Sequence, residues 1–106
     1  ISYKDAVKYM VGETSKDVCE IPVISPNWDH TPRSGNNGTL FYNCQPQYFK
    51  GLVKRVIALV KHKPKEEQVV LIKAWNEWGE GNYMEPDLKY GRGMLEALKA
   101  GIEESK

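Results

Sequence analysis

One stretch of the chain concentrates groups able to do chemistry: Ala74-Trp75-Asn76-Glu77-Trp78-Gly79-Glu80-Gly81-Asn82-Tyr83-Met84-Glu85-Pro86. Three carboxylates, three aromatics and two glycines stand within thirteen residues. Surface loops do not usually crowd acids and large aromatics together. Sugars call for both, because aromatic rings cover the C–H faces of a pyranose while carboxylates and amides bind its hydroxyls. Glycoside chemistry further demands two acids, one to donate a proton and one to act as base or nucleophile. Glu77 and Glu80, three residues apart across a glycine-bearing turn, are able to converge on one bound ring. The plain alternative is that they are helix caps or solvated charges. A second segment, Trp28-Asp29-His30-Thr31-Pro32-Arg33, adds a guanidinium fork that matches anionic oxygens. Arg33 would then meet a sugar hydroxyl or the phosphate of a phosphate-linked donor, or else backbone carbonyls.

Around these segments the composition is that of an ordinary soluble domain. The 106 residues are 41% apolar and 27% charged, with 15 basic and 14 acidic side chains for a net charge of +1. That balance gives no support to a nucleic-acid or membrane-surface role. No apolar run is long enough for a membrane-spanning helix. Cys19 and Cys44 lack metal-site spacing and are too few for a disulfide framework, so they read as reduced thiols, with a single bridge left open if the protein is exported. The chain opens at Ile1 and its first methionine is Met10, so it reads as one domain, residues 1–106, cut from something longer. The compartment stays open, the cytoplasm being favoured over the periplasm.

The elements that position these segments follow from periodicity. Ser2 with Asp5 makes a capping signature, Tyr3, Ala6, Val7, Met10 and Val11 repeat at helical spacing, and Gly12 offers a left-handed stop. Ile21–Ser25 is a short strand with Pro22 at its start or edge. Asn37-Gly38 reads as a tight turn (better than as a glycosylation acceptor), with Thr39–Asn43 returning extended. Pro46 opens a second helix behind Gln45, a weak cap. Phe49, Leu52, Val53, Val56, Leu59 and Val60 are its buried stripe, and Lys50, Lys54, Arg55 and Lys61 its solvated face. Val69–Trp75 runs apolar without alternation, the pattern of a parallel strand covered on both faces. Asp87 is placed to cap the last helix, where Met94, Leu95, Leu98 and Ile102 form one stripe and Gly91 and Gly93 weaken the first turn. The fold class is therefore α/β, helix-strand-helix-strand-helix with parallel strands, both loaded loops leaving carboxyl ends of strands, where active sites of α/β folds gather.

The run Ala74–Pro86 resembles the signature of the WbsX-type glycosyltransferase family and its relatives in glycoside hydrolase family 99: a strand entering Asn-Glu-Trp-x-Glu-Gly, closely followed by Glu-Pro. Here it stands as Asn76-Glu77-Trp78-Gly79-Glu80-Gly81 and then Glu85-Pro86. Trp28-Asp29-His30-Thr31-Pro32-Arg33 is similar to the family's Trp-Asp-Asn-Thr-Pro-Arg, with His30 in place of asparagine. The resemblance implies that the chain is the last two βα units of a (β/α)8 barrel, the C-terminal part of a longer carbohydrate-active enzyme. It implies that Glu77 is the base assisting attack by the substrate's own 2-hydroxyl and Glu80 the general acid. Such an acid needs a raised pKa, which Trp78 and a closed barrel mouth would supply by desolvation. Trp28, Asp29, Arg33, Asn76, Trp78, Tyr83 and Glu85 make up the candidate substrate contacts, and no cofactor or metal is implied. Lys73, on the face of Glu77, either pairs with a carboxylate inside the barrel or snorkels outward.

Three classes of function follow. The first is an enzyme, transferase or retaining hydrolase, acting on polysaccharide in lipopolysaccharide or surface-glycan biosynthesis, its isolated fragment inactive for want of about six βα units. The second is a carbohydrate-binding module that uses Trp28, Trp78 and Tyr83 without chemistry. The third is a hard-cation site built from Asp29, Glu77, Glu80 and Glu85. The partner is an oligosaccharide or polysaccharide, not nucleic acid, and the open strand edges invite self-association.

Overall fold

The computed structural model describes residues 1–17 and 19–106. Two short strands, β1 (Val23–Ile24) and β2 (Leu71–Ile72), pair in parallel, Val23 opposite Leu71 and Ile24 opposite Ile72. The crossover between them carries the longest helix, α3 (Pro46–Val60), and α4 (Gly93–Glu103) follows β2. Helix α1 (Tyr3–Met10) precedes β1. The mixed α/β character and the parallel pair agree with the sequence reading.

Helix α3 forms where the apolar period predicts it. Phe49, Leu52, Val53, Val56, Leu59 and Val60 are all buried, Pro46 occupies its first turn, and Gln45 makes no side-chain cap. The buried stripe packs on Tyr3, Ile24, Met84, Met94 and Ala97 to form the core. Helices α3 and α4 lie side by side in the same direction, Pro46 against Gly93 and Val53 against Gly101, where an added Cβ would sit 2.7 Å from Val53 Cγ1. Backbone approach of this kind is open only to glycine.

Several local expectations are corrected. Gly12 is not a left-handed stop; it has φ −141° and lies in extended backbone behind Val11, the C-cap of α1. The α1 terminus is satisfied instead by Arg55, which donates to the carbonyls of Val7, Lys8 and Val11 at 3.2, 2.8 and 2.5 Å. The basic face of α3 is solvent-facing as expected, with Lys54, Arg55 and Lys61 exposed, and its side chains make surface contacts: Lys50 and Lys54 pair with Glu104, and Lys61 donates to Ser105 O. Asn37-Gly38 does lie in a tight turn, closed by Gly38 N–H donating to Gly35 O at 2.9 Å, but the turn is centred earlier than the pair. A short helix α2 (Thr31–Ser34) runs into a 3₁₀ turn at Gly35–Asn37, and the left-handed residue is Gly35, φ 55°. The return is extended as expected, bridging Asp29 at Leu40 and Ser2 at Tyr42.

The run Val69–Trp75 is a strand only at Leu71–Ile72 and is not covered on both faces. Val70 and Ile72 pack on the core, whereas Val69, Leu71 and Trp75 are exposed. A single neighbouring strand with helices on one side can cover one face only. Asp87 caps no helix either; it closes a turn with Gly91 (φ 57°) and accepts from Tyr90 N–H at 2.7 Å. Helix α4 starts six residues later with no side-chain cap, and Ile102 of its expected stripe is exposed.

Candidate functional site

Parallel pairing brings the chain out of β1 and β2 at the same edge, so the loops after Ile24 and Ile72 leave side by side. After β2 the backbone passes a cis peptide at Lys73-Ala74 and folds into a small antiparallel hairpin, β3 (Asn76–Glu77) with β4 (Asn82–Tyr83). Its tip is a 3₁₀ turn, Trp78–Glu80, closed by Gly81 in the left-handed conformation, φ 54°. A Cβ at Gly81 would lie 2.8 Å from Asp29 Cβ, so the missing side chain is what lets the two loops touch.

Two asparagines fasten these loops. Asn82, fully buried, points its amide nitrogen at Ser25 Oγ (2.7 Å), Asn27 O (2.7 Å) and Lys73 O (2.9 Å), the residues just beyond each strand. Asn27 answers by exchanging two hydrogen bonds with the Tyr83 backbone, donating to its carbonyl at 3.1 Å and accepting from its N–H at 2.8 Å. Asp29 N–H donates to Glu80 O at 2.9 Å. Sequence reasoning missed Asn27 and Asn82; the available signal was an asparagine next to or inside each loaded segment.

On this base the structure assembles Arg33, Glu77 and Glu80. Arg33, from α2, donates through Nη2 to Glu77 Oε1 at 3.5 Å and brings Nη1 to 3.6 Å from Glu80 Oε1. One guanidinium thus spans two carboxylates, with Gly79 leaving it room, since a Cβ there would meet Arg33 Nη2 at 2.9 Å. A positive charge between two negative ones offsets their repulsion. The pair is accessible, the Glu77 side chain being 45% and the Glu80 side chain 21% exposed.

The aromatics group beside them. Trp78 stacks on Tyr83 with ring centroids 3.8 Å apart and planes 14° apart, and its indole N–H donates to Glu85 Oε1 at 2.8 Å. Trp78 is half-exposed and turned to Tyr83 and Glu85. Tyr83 donates its hydroxyl to Asp87 Oδ2 at 2.8 Å, and burial followed by that acceptor pushes its pKa up to about 12. Asn76 is exposed where the hairpin opens, paired with Tyr83 through the backbone.

Trp28 and Asp29 complete the expected set from the first loop. Trp28 stacks on His30 (5.7 Å, 18°), and His30 Nδ1 meets Ser34 Oγ at 2.9 Å. Among the described residues Lys73 joins no carboxylate; its Nζ lies 4.8 Å from the Trp28 ring centroid, a cation–π contact. Asp29 folds back on Thr31, accepting from its hydroxyl at 2.5 Å and its N–H at 2.9 Å, and these bonds, the hydroxyl first, hold its carboxyl below the usual range. Cys19 and Cys44 are free thiols. Among the described residues no three His, Cys, Asp or Glu side chains are grouped to hold a metal ion, which removes the four-carboxylate cation site. No helix among them is long and apolar enough to cross a membrane.

The fold and site define an α/β protein whose paired acids sit at the carboxyl edge of parallel strands. The chain belongs to the glycosyltransferase WbsX family, whose sequence profile it matches over residues 1–98. It is 26% identical over 103 residues to WxcX, an uncharacterised protein of Xanthomonas campestris pv. campestris, covering 96% of this chain and 15% of that protein. The WxcX of a second strain is 27% identical over 101 residues, 94% of this chain and 14% of the relative. The chain thus spans about a seventh of the length of the curated relatives it matches. No solved structure matches it.

Proposed function

We propose that this segment supplies the acid–base pair of a larger glycan-processing enzyme of the WbsX family, with Glu77 and Glu80 as the catalytic carboxylates. The observation that carries the reading is the Arg33 bridge, which draws two acids from one loop toward a cation from another at an accessible edge. Isolated structural glutamates need no such convergence. In this reading Glu80, the less exposed of the two, protonates the leaving oxygen and Glu77 serves as base. The Trp78–Tyr83 stack offers its rings to the sugar's C–H surface, and Asn76, Asp29, Trp28 and Glu85 line its approach.

The wider frame belongs to the same proposal. Residues 1–106 form one domain, the parallel strands with their helices being the last two βα units of a (β/α)8 barrel akin to glycoside hydrolase family 99. The whole protein would build lipopolysaccharide or surface glycan from a sugar donor. The half-exposed Trp78 favours one second reading, a carbohydrate-binding surface without chemistry.

Replacing Glu77 or Glu80 by glutamine in the whole protein is expected to abolish glycan turnover while leaving glycan binding within a few fold, because the amide keeps the shape and removes the charge. Full activity in both variants refutes the catalytic assignment. Binding without turnover in the unaltered protein selects the second reading.

A further inference from the structure

Beside the Gly81–Asp29 contact lies a recess of about 350 Å³ whose lining includes neither Glu77 nor Glu80. Trp28, Tyr83 and Tyr90 give it aromatic wall, while Asn43, Asp87 and Lys89 give it polar groups. Its volume is at the lower end of that of small-molecule sites. The walls are built in advance of any ligand. Asp87 accepts from the Tyr83 hydroxyl at 2.8 Å and from the Tyr90 N–H at 2.7 Å, so one carboxylate fixes the placement of two aromatic residues. Asn43 is held at φ 58°, a left-handed conformation few non-glycine residues adopt, and its side-chain oxygen is taken by Gln45 Nε2 at 2.8 Å. What it offers a ligand is its N–H₂ group.

The charges in the lining decide the class of ligand. Lys89 is opposed by Asp29 and Asp87, so the recess has no positive excess and disfavours a phosphate or a uronate. Aromatic faces with amide, carboxylate and ammonium groups suit a neutral polyol with C–H faces. We propose that the recess is a subsite for one uncharged sugar ring of the glycan, next to the ring held at Glu77 and Glu80. The proposal rests on the glycan reading of that pair, and Asp29 is the shared residue: its N–H holds Glu80 O and it lines the recess.

Cys44 lines this recess and Cys19 is exposed elsewhere, so the chain carries its own reporter and control. Trypsin separates the two thiols, Cys19 in Asp17–Arg33 and Cys44 in Ser34–Lys50. The whole protein is treated with iodoacetamide with and without methyl α-glucoside, methyl α-mannoside and methyl β-galactoside, each peptide being quantified by mass spectrometry. Lys89 acetylation is followed in parallel, so that a slow thiol still leaves a readout. At least one glycoside is expected to slow labelling of Cys44 or Lys89 about tenfold at ten times its dissociation constant, because only the empty recess reacts. Cys19 is expected to be unaffected. Lys89→Ala, at an exposed position, is expected to weaken the protection of Cys44 several fold. Unchanged labelling of both Cys44 and Lys89 with every glycoside overturns the subsite, as does equal slowing at Cys19. Failure here with Glu77→Gln and Glu80→Gln still inactive leaves the catalytic reading standing. Protection together with fully active glutamine variants leaves the subsite and removes the catalytic pair.

Discussion

Replacing Asn82 by alanine tests whether one buried amide holds the two loaded loops in place. The Asn82 side chain is fully buried, and its two amide hydrogens face three acceptors at 2.7, 2.7 and 2.9 Å. Ser25 Oγ spends its own hydrogen on Asn27 O at 2.9 Å, so nothing nearby can replace the lost donors. Two lost donors, each stranding a carbonyl or hydroxyl oxygen, cost about 1–2 kcal/mol apiece. Part returns, because Asn82 Oδ1 is buried with no partner and its removal relieves roughly 1 kcal/mol of desolvation. The balance is a destabilisation of about 1–3 kcal/mol, concentrated where β1 and β2 end. Hydrogen exchange read by mass spectrometry on peptides covering residues 74–85 should therefore accelerate about 5- to 140-fold, at 1.4 kcal/mol per decade. The Tyr83 amide, bonded to Asn27 Oδ1, is expected to lead. A change below about 0.5 kcal/mol would show that backbone contacts alone hold the loops, and would refute the argument.

Two further predictions concern packing and charge. Gly101→Ala sets a helix-propensity gain of about 1 kcal/mol against a Cβ placed 2.7 Å from Val53 Cγ1 inside α4. Overpacking of that kind costs about 1–3 kcal/mol, so urea denaturation is expected to show net destabilisation, and a stabilised variant would mean that the α3–α4 contact has slack. Thr31→Val removes the hydroxyl that contributes most to depressing the Asp29 pKa while keeping the N–H bond. A depressed carboxylate stabilises the folded state above its unfolded pKa, near 3.9, and loses that contribution as pH falls through the folded value. The variant's Asp29 should therefore titrate at higher pH by carboxyl-carbon NMR, with less acid-induced loss of stability between the two values; an unmoved titration would assign the shift to the backbone N–H alone.

Much of the local structure was legible because it is written in contiguous residues. The buried stripe of α3 repeats at the helical period, and Pro46 marks its start by chemistry that needs no partner outside the helix. Ser2 likewise accepts from Asp5 N–H, three residues away. The Asn76–Gly81 and Trp28–Arg33 motifs, each a single run, were enough to indicate the family that the chain belongs to. Exposure was less legible. The unbroken apolar run at Val69–Trp75 suggested two covered faces, but coverage depends on what packs above and below a strand, which its own residues do not encode.

What the sequence by itself determined, then, is the three longer helices and the two parallel strands, their order, and the segments that hold the candidate chemistry; α2 and the β3–β4 hairpin came only with the structure. Only the tertiary structure decided which groups meet. Arg33 reaches Glu77 across 44 residues, Asn82 reaches Asn27 across 55, and Arg55 closes the end of α1 from 44 residues beyond Val11. Lys73 turned to Trp28 instead of an acid, and Trp78 stacked on Tyr83 and bonded to Glu85. The physical reason is the range of the forces that select these partners. Helical period and caps act over three or four residues, whereas the pairs between the two loops need β1 and β2 in register and Gly81 letting one loop close against the other, and the Arg55 contact needs α1 packed on α3.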